Sequence, residues 1–215
     1  MPPSEPEAAP RISAIVTDPR SAESVRIQVD GRTLLTVPAR VAERLGVQAG
    51  DVIDGPAHAA LCRAADAEAA FRTALRALER RSFAARDLAR RLVLKGHPPE
   101  AADQAVLRAQ EAGLVNDENF ARHFVQTRFA RGRGPARLRR ELTVMGVAAP
   151  LVDRVLRDEV PEEASREAIL VLARKRAGQL KDVPRPDRFR RVIAYLARRG
   201  YRGPEVLKTA REITS

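Results

Sequence analysis

The sequence predicts a mainly α protein: three tandem three-helix repeats preceded by a small β-rich N-terminal module. Two observations carry this. The first is an internal repeat aligned on Gly96, Gly146 and Gly200, which stand 50 and 54 residues apart. Eight residues before each glycine stand Leu88, Leu138 and Val192, and four before it Leu92, Leu142 and Leu196. Six after it stand Ala102, Val152 and Val206, and ten after it Val106, Leu156 and Ala210. Apolar residues at helical spacing on both sides of a glycine stop describe stacked helical units that bury their faces against one another. The second observation is a change of pattern. Before about residue 55 the chain alternates apolar and polar residues as strands do, and from Glu68 onward its apolar period is helical.

Taken in order, residues 1–10 are rich in proline and alanine and read as a disordered tail without the basic and apolar regions of a signal peptide. Residues 11–65 form the β-rich module and a linker. Arg11–Val16 is a short β-type run, and Val25, Ile27 and Val29 alternate with polar residues. Asp30-Gly31 then separates that run from Leu34–Val37, a hairpin signal because a type I′ turn needs positive φ at both central positions. Pro38 opens a short helix that Gly46 stops. Residues 55–65 read either as a linker or as a lead into the next helix.

The helical part divides into repeats over 66–113, 114–160 and 161–215. The periodicity predicts helices near 67–80, 84–95 and 98–112, then 117–131, 135–145 and 148–158, then 162–178, 186–199 and 203–213. Glycines 96, 113, 132, 146 and 200 follow periodic runs, as residues just past a helix end do, while Pro135, Pro150, Pro161 and Pro204 sit in first turns. Asn116 or Asp117 is the expected cap of the helix over 117–131.

Charge is unevenly placed. The net is +11, and residues 1–65 hold 7 Lys and Arg against 8 Asp and Glu, leaving 32 against 20 for the helical part. That imbalance points to a polyanion or an acidic protein as partner. Arg outnumbers Lys 35 to 4, to which codon usage in a GC-rich genome can contribute. The single cysteine, Cys62, rules out an intrachain disulfide and makes a reducing compartment the default. No apolar run is long enough to span a membrane. His58, His97 and His123 have no partners at metal spacing, and no phosphate-binding loop, nucleophile elbow or dinucleotide fingerprint occurs. The composition therefore points away from an enzyme, and neither a metal nor another cofactor is expected.

The sharpest local feature is the tract from Asn119 to Arg140, which holds Arg122, Arg128, Arg131, Arg133, Arg137, Arg139 and Arg140 and no acidic residue. It runs through the turn Arg131-Gly132-Arg133-Gly134-Pro135, where two glycines would let the backbone approach a ligand. A second cluster is Arg80-Arg81, Arg86, Arg90-Arg91 and Lys95. A third is Arg185, Arg188, Arg190-Arg191, Arg198-Arg199 and Arg202. They occupy similar places in the three repeats and would form one stripe if the repeats stack in register. Each also reads as a solvated helix face. Phe120 and Phe124 lie four apart and read as a core face in preference to a platform for unpaired bases.

The segment Glu111-Ala112-Gly113-Leu114-Val115-Asn116-Asp117-Glu118-Asn119-Phe120-Ala121, followed by the basic turn at Gly132 and Gly134, resembles the centre of the RecX family of regulatory proteins. Leu75, Leu78, Arg81, Leu88, Leu92 and Lys95-Gly96 before it, and Leu142, Gly146 and Val147 after it, also fit that family, so the likeness covers about residues 67–160. The third repeat fits more loosely, and the β-rich module looks like an extension found in some members. The resemblance implies an elongated, curved stack of three helical repeats. It implies a protein that binds RecA and the RecA–single-stranded DNA filament and negatively modulates its recombinase, ATPase and coprotease activities, without catalysis of its own. The expected contacts, taken from charge and position, are Arg128, Arg131, Arg133, Arg137, Arg139, Arg140, Arg90, Arg91, Lys95, Arg198 and Arg199. Asp117, Phe120, Gly132 and Gly134 are expected to shape the motif. A cytoplasmic monomer that also touches single- or double-stranded DNA is the corresponding expectation. The rival reading is a general nucleic-acid-binding helical repeat with no dedicated protein partner.

Overall fold

A computed structural model describes residues 10–53 and 55–215. The expected tail over 1–10 lies, apart from Pro10, outside the described residues. The elements run β1 (Ile12–Asp18), β2 (Ser21–Val29), β3 (Arg32–Pro38), α1 (Ala39–Arg44), α2 (Gly55–Leu78), α3 (Ala85–Leu94), α4 (Pro99–Glu111), α5 (Asp117–Phe129), α6 (Pro135–Val144), α7 (Ala149–Glu159), α8 (Glu162–Gly178), α9 (Arg185–Arg199) and α10 (Pro204–Thr214). They form two compact units. One comprises the chain up to Arg81 together with Leu88–Leu114, and the other Ser82–Asp87 with Val115–Ser215.

In the first unit the three strands form an antiparallel meander in the order β1-β2-β3. Asp30 (φ +51°) and Gly31 (φ +73°) make the expected hairpin turn between β2 and β3. Ile12, Ile27 and Val37 from the strands, Ala42 from α1 and Leu61 from α2 bury one core. Leu61 explains why residues 55–65 are helical and not a linker: α2 begins at Gly55, and its first half supplies Leu61, Ala64 and Ala65 to the β module's core. Asp18, at the end of β1, is 3% exposed. Its carboxylate accepts from Arg26 at 2.8 Å and from Arg72 of α2 at 3.2 Å, so a buried charge ties sheet to helix. Burial alone would raise the Asp18 carboxyl. The backbone N–H of Arg20 and the two guanidinium groups outweigh it, and the group stays below its ordinary range.

The second unit holds two of the repeats. Leu138, Leu142, Val152, Val155 and Val125 are fully buried in the core of α5–α7, which also takes in Ala84. Val192, Leu196, Val206 and Ala210 fill the core of α8–α10, and Phe129 at the end of α5 packs against both cores. The apolar positions of the sequence repeat are buried in all three repeats, with Leu88 and Leu92 at 0–1% exposure in the first. Gly96, Gly146 and Gly200 adopt φ of +91°, +89° and +94°, so the aligned glycines are one structural device used three times.

Candidate nucleic-acid interface

The basic tract is built from α5, a tight turn and α6. The side chain of Asn116 caps α5 by accepting from the backbone N–H of Asn119 at 2.9 Å. Asp117, expected to cap this same helix or position its turn, does something else. Its Oδ1 accepts from the backbone N–H of Ala85 at 2.7 Å, so it caps the first turn of α3, 32 residues earlier. Phe120 stacks on Phe124, with ring centroids 6.0 Å apart, and, partly buried, packs against the α5–α7 core.

The turn itself departs from the sequence expectation in an instructive way. Gly134 admits the chain's own α9–α10 turn, and Gly132 makes room for the Arg199 guanidinium and the Leu172 side chain. A Cβ at Gly134 would lie 2.6 Å from the carbonyl carbon and oxygen of Gly200, and a Cβ at Gly200 would lie 2.4 Å from the Cβ of Arg137. The Gly134 N–H donates to the Arg199 carbonyl at 2.7 Å, and the Ala136 N–H to the Gly200 carbonyl at 3.2 Å. The Arg199 guanidinium closes the junction by donating to the carbonyls of Arg131 (3.1 Å) and Gly132 (3.4 Å), and its carbon lies 5.0 Å from the Tyr195 ring centroid. The same kind of contact recurs between Gly146 and the start of α3, where a Cβ would meet the Cβ of Arg86 at 2.4 Å.

These contacts sort the arginines. Arg133 and Arg137 both donate to the Glu141 carboxylate, at 2.5 Å and 2.8 Å. Arg139 pairs with Asp153 of α7. Arg122 binds Glu118, Asp158 and Glu159, which joins α5 to α7. The guanidinium carbon of half-buried Arg128 lies 5.3 Å from the Phe124 ring centroid. The side chain of Arg131 is exposed. Arg90, Arg91 and Lys95 are exposed on and just after α3, in the first compact unit.

Part of the remaining charge gathers at the junction. Ala136, Arg137 and Arg140 of α6 meet Ala197, Arg198, Gly200 and Arg202 around an open cleft of about 510 Å³. Four arginines and no carboxylate line it. Arg140, Arg198 and Arg202 are exposed, with no carboxylate within 4.0 Å among the described residues. Such a cleft concentrates positive potential and suits phosphate oxygens or carboxylates. Thus the second and third repeats bring together Arg137, Arg140 and Arg198 from the expected contacts. Arg202, part of the third cluster but not among those contacts, completes the cleft. Only its position two residues past the Gly200 stop could have marked it. Among the described residues no group of three or more His, Cys, Asp or Glu is placed to hold a metal ion, and no helix is long and apolar enough to cross a membrane.

The fold and the cleft define a basic helical-repeat protein whose charge is focused at a repeat junction. Residues 116–156 match the family model described as RecX, second three-helix domain. Over 147 residues the chain is 35% identical to "Regulatory protein RecX" of Halorhodospira halophila, covering 68% of this chain and 89% of the relative. It is 29% identical over 161 residues to the protein of that name from Caldanaerobacter subterraneus, covering 75% and 82%. A crystal structure of a regulatory protein RecX superposes with a TM-score of 0.75 at 21% identity, over 95% of this chain and 98% of that one. RecX from Lactobacillus salivarius superposes with a TM-score of 0.61 at 17% identity, over 69% and 96%. The chain belongs to the RecX family of regulatory proteins.

Two outcomes follow from the junction. Gly96 and Gly200 share a left-handed backbone, but a Cβ at Gly96 meets nothing within 4 Å. Gly96→Ala is expected to cost only the backbone strain of about 1–2 kcal/mol. Gly200→Ala adds overpacking of about 1–3 kcal/mol. Urea unfolding of the two variants measures the difference. For Glu141, burial acts to raise the carboxyl, and hydrogen bonds from Arg137 and Arg133 overcome it, so the folded value lies below the ordinary 4.5. Its contribution to stability is complete above 4.5 and is lost as the pH falls through the lower folded value. Unfolding midpoints between neutral and acid pH should therefore fall less steeply for Glu141→Gln than for the parent, and equal slopes would show that this carboxylate is not held by the two arginines.

Proposed function

We propose that this chain is a non-enzymatic cytoplasmic regulator that binds RecA and the RecA–single-stranded DNA filament and lowers recombinase, ATPase and coprotease activity. The observation that carries the reading is the one-signed cleft of Arg137, Arg140, Arg198 and Arg202. It supplies phosphate-facing charge where two repeats meet, and membership of a family of regulatory proteins supplies the context. A monomer organised as a β-rich module over 11–65 and helical repeats over 66–113, 114–160 and 161–215 can add many weak contacts along a nucleoprotein polymer. Single-stranded and double-stranded DNA both offer the phosphates this cleft would take.

Within the expected contact set, Arg133, Arg137, Arg139 and Arg199 are held by the fold. Reversing their charge would break these internal contacts, and for Arg137 and Arg199 the junction itself, as well as any partner contact. Arg140 and Arg202 carry the test instead. A second reading, a general nucleic-acid-binding helical repeat, is favoured by the same cleft, because phosphate contacts alone need no protein partner.

RecA's single-stranded-DNA-dependent ATPase, with DNA in excess, separates the two. The parent chain is expected to inhibit well below one molecule per RecA. Arg140→Glu with Arg202→Glu should weaken inhibition by about tenfold or more, the scale of losing two charge-assisted contacts, with helical content by circular dichroism unchanged. Full inhibition by the double variant would remove the cleft from the mechanism, and inhibition only at DNA saturation would establish the second reading.

A further inference from the structure

The repeat junction has a second face, and its chemistry differs from that of the basic cleft. Consecutive residues divide between the two: Arg198 lines the cleft, and Arg199 lines a groove of about 550 Å³ between the end of α5, α8 and α9. The groove's floor is apolar. Phe129, Val171, Leu172 and Tyr195 line it, and Val171, in the middle of α8, is 57% exposed. Its rim is charged, with Arg131, Lys175 and Arg199 set against the single carboxylate of Glu167. Arg199 is held by backbone carbonyls, so the rim on that side is fixed.

A small-molecule site needs a few converging polar groups inside an enclosed pocket to orient its ligand. Here the polar groups stand on the rim of an open groove. No strand edge is present in this unit among the described residues, so an added β-strand has nothing to pair with. An apolar floor running along a helix, beneath a rim with three cations and one anion, instead fits a partner helix. Such a helix would place apolar anchors at i, i+3 or i+4 and i+7 in the groove and acidic residues along its flanks. We infer that this groove is a protein-docking site for an acidic amphipathic helix. On the RecA reading above, on which the source of the helix rests, the filament's protein supplies it, while the basic cleft takes phosphates.

The test uses the full chain carrying Val171→Glu, Lys175→Glu or, as the conservative control, Val171→Leu. Fluorescence anisotropy follows binding to three probes: RecA filament on labelled oligo(dT), the same oligonucleotide bare, and a synthetic helix with leucines at i, i+3 and i+7 and glutamates on its flanks. Val171→Glu and Lys175→Glu should weaken binding to the filament and to the acidic helix by about tenfold or more, with bare DNA unchanged and Val171→Leu like the parent. The inference is overturned if Val171→Glu binds the acidic helix as the parent does, if a lysine-flanked helix binds the parent equally well, or if bare DNA binding falls to the same extent. Groove-dependent binding of the acidic helix by a parent chain that does not prefer filament over bare oligonucleotide would uphold the groove and remove RecA as the source of the helix.

Discussion

The backbones of two loops touch at Gly134 and Gly200, and the candidate interface depends on that contact. Any side chain at Gly134 would sit 2.6 Å from the opposing carbonyl group, inside every permitted van der Waals distance. With both positions bare, two backbone hydrogen bonds and the Arg199 guanidinium join the start of α6 to the end of α9. Arg137 and Arg140 are thereby set opposite Arg198 and Arg202, and the cleft exists because the turns interlock. The Gly146 contact with Arg86 applies the same solution one repeat earlier. A repeat protein is held by such nearest-neighbour interfaces more than by any single core.

Electrostatics divides the arginines by task. Those on the inner side of the α5–α6 turn meet carboxylates: Glu141 receives Arg133 and Arg137, and Asp153 receives Arg139. Exposed pairs of this kind contribute about 0–1 kcal/mol each, so they orient the turn more than they stabilise the fold. At the junction, Arg140, Arg198 and Arg202 are exposed and have no carboxylate within 4.0 Å among the described residues. With 39 Lys and Arg against 28 Asp and Glu, the chain must leave some of its positive charge without a carboxylate partner. That it leaves Arg140, Arg198 and Arg202 together in one cleft is what makes the cleft, and not the charge total, informative about partners.

Much of the fold was legible in the sequence because it is written in local pattern. The leucine four residues before each glycine, the proline in the next first turn and the Asp-Gly hairpin each act within a few residues, and each is where the periodicity put it. The first half of α2 was ambiguous because alanines carry little hydrophobic signal and Gly55-Pro56 punctuates like a linker; only the distant strands that receive Leu61 make it helix. The site was legible in composition but not in arrangement. Nothing near Asp117 in the chain reveals that its carboxylate serves Ala85, and nothing near Gly134 reveals that its close neighbour is Gly200. The Arg137–Glu141 pair could have been read from its four-residue spacing. The Arg133–Glu141 pair, which reaches across the turn, could not.

The most direct measurement is native-state hydrogen exchange at the Gly134 and Ala136 amides. Gly134 lies in a turn and Ala136 in the first turn of α6, where a helix offers its own N–H groups no partner. Their protection therefore depends on the Arg199 and Gly200 carbonyls alone. If the two turns interlock as described, both amides exchange only with the global opening that releases Leu138 and Leu142. Exchange of either amide at the rate of an open loop would contradict the junction, and with it the cleft.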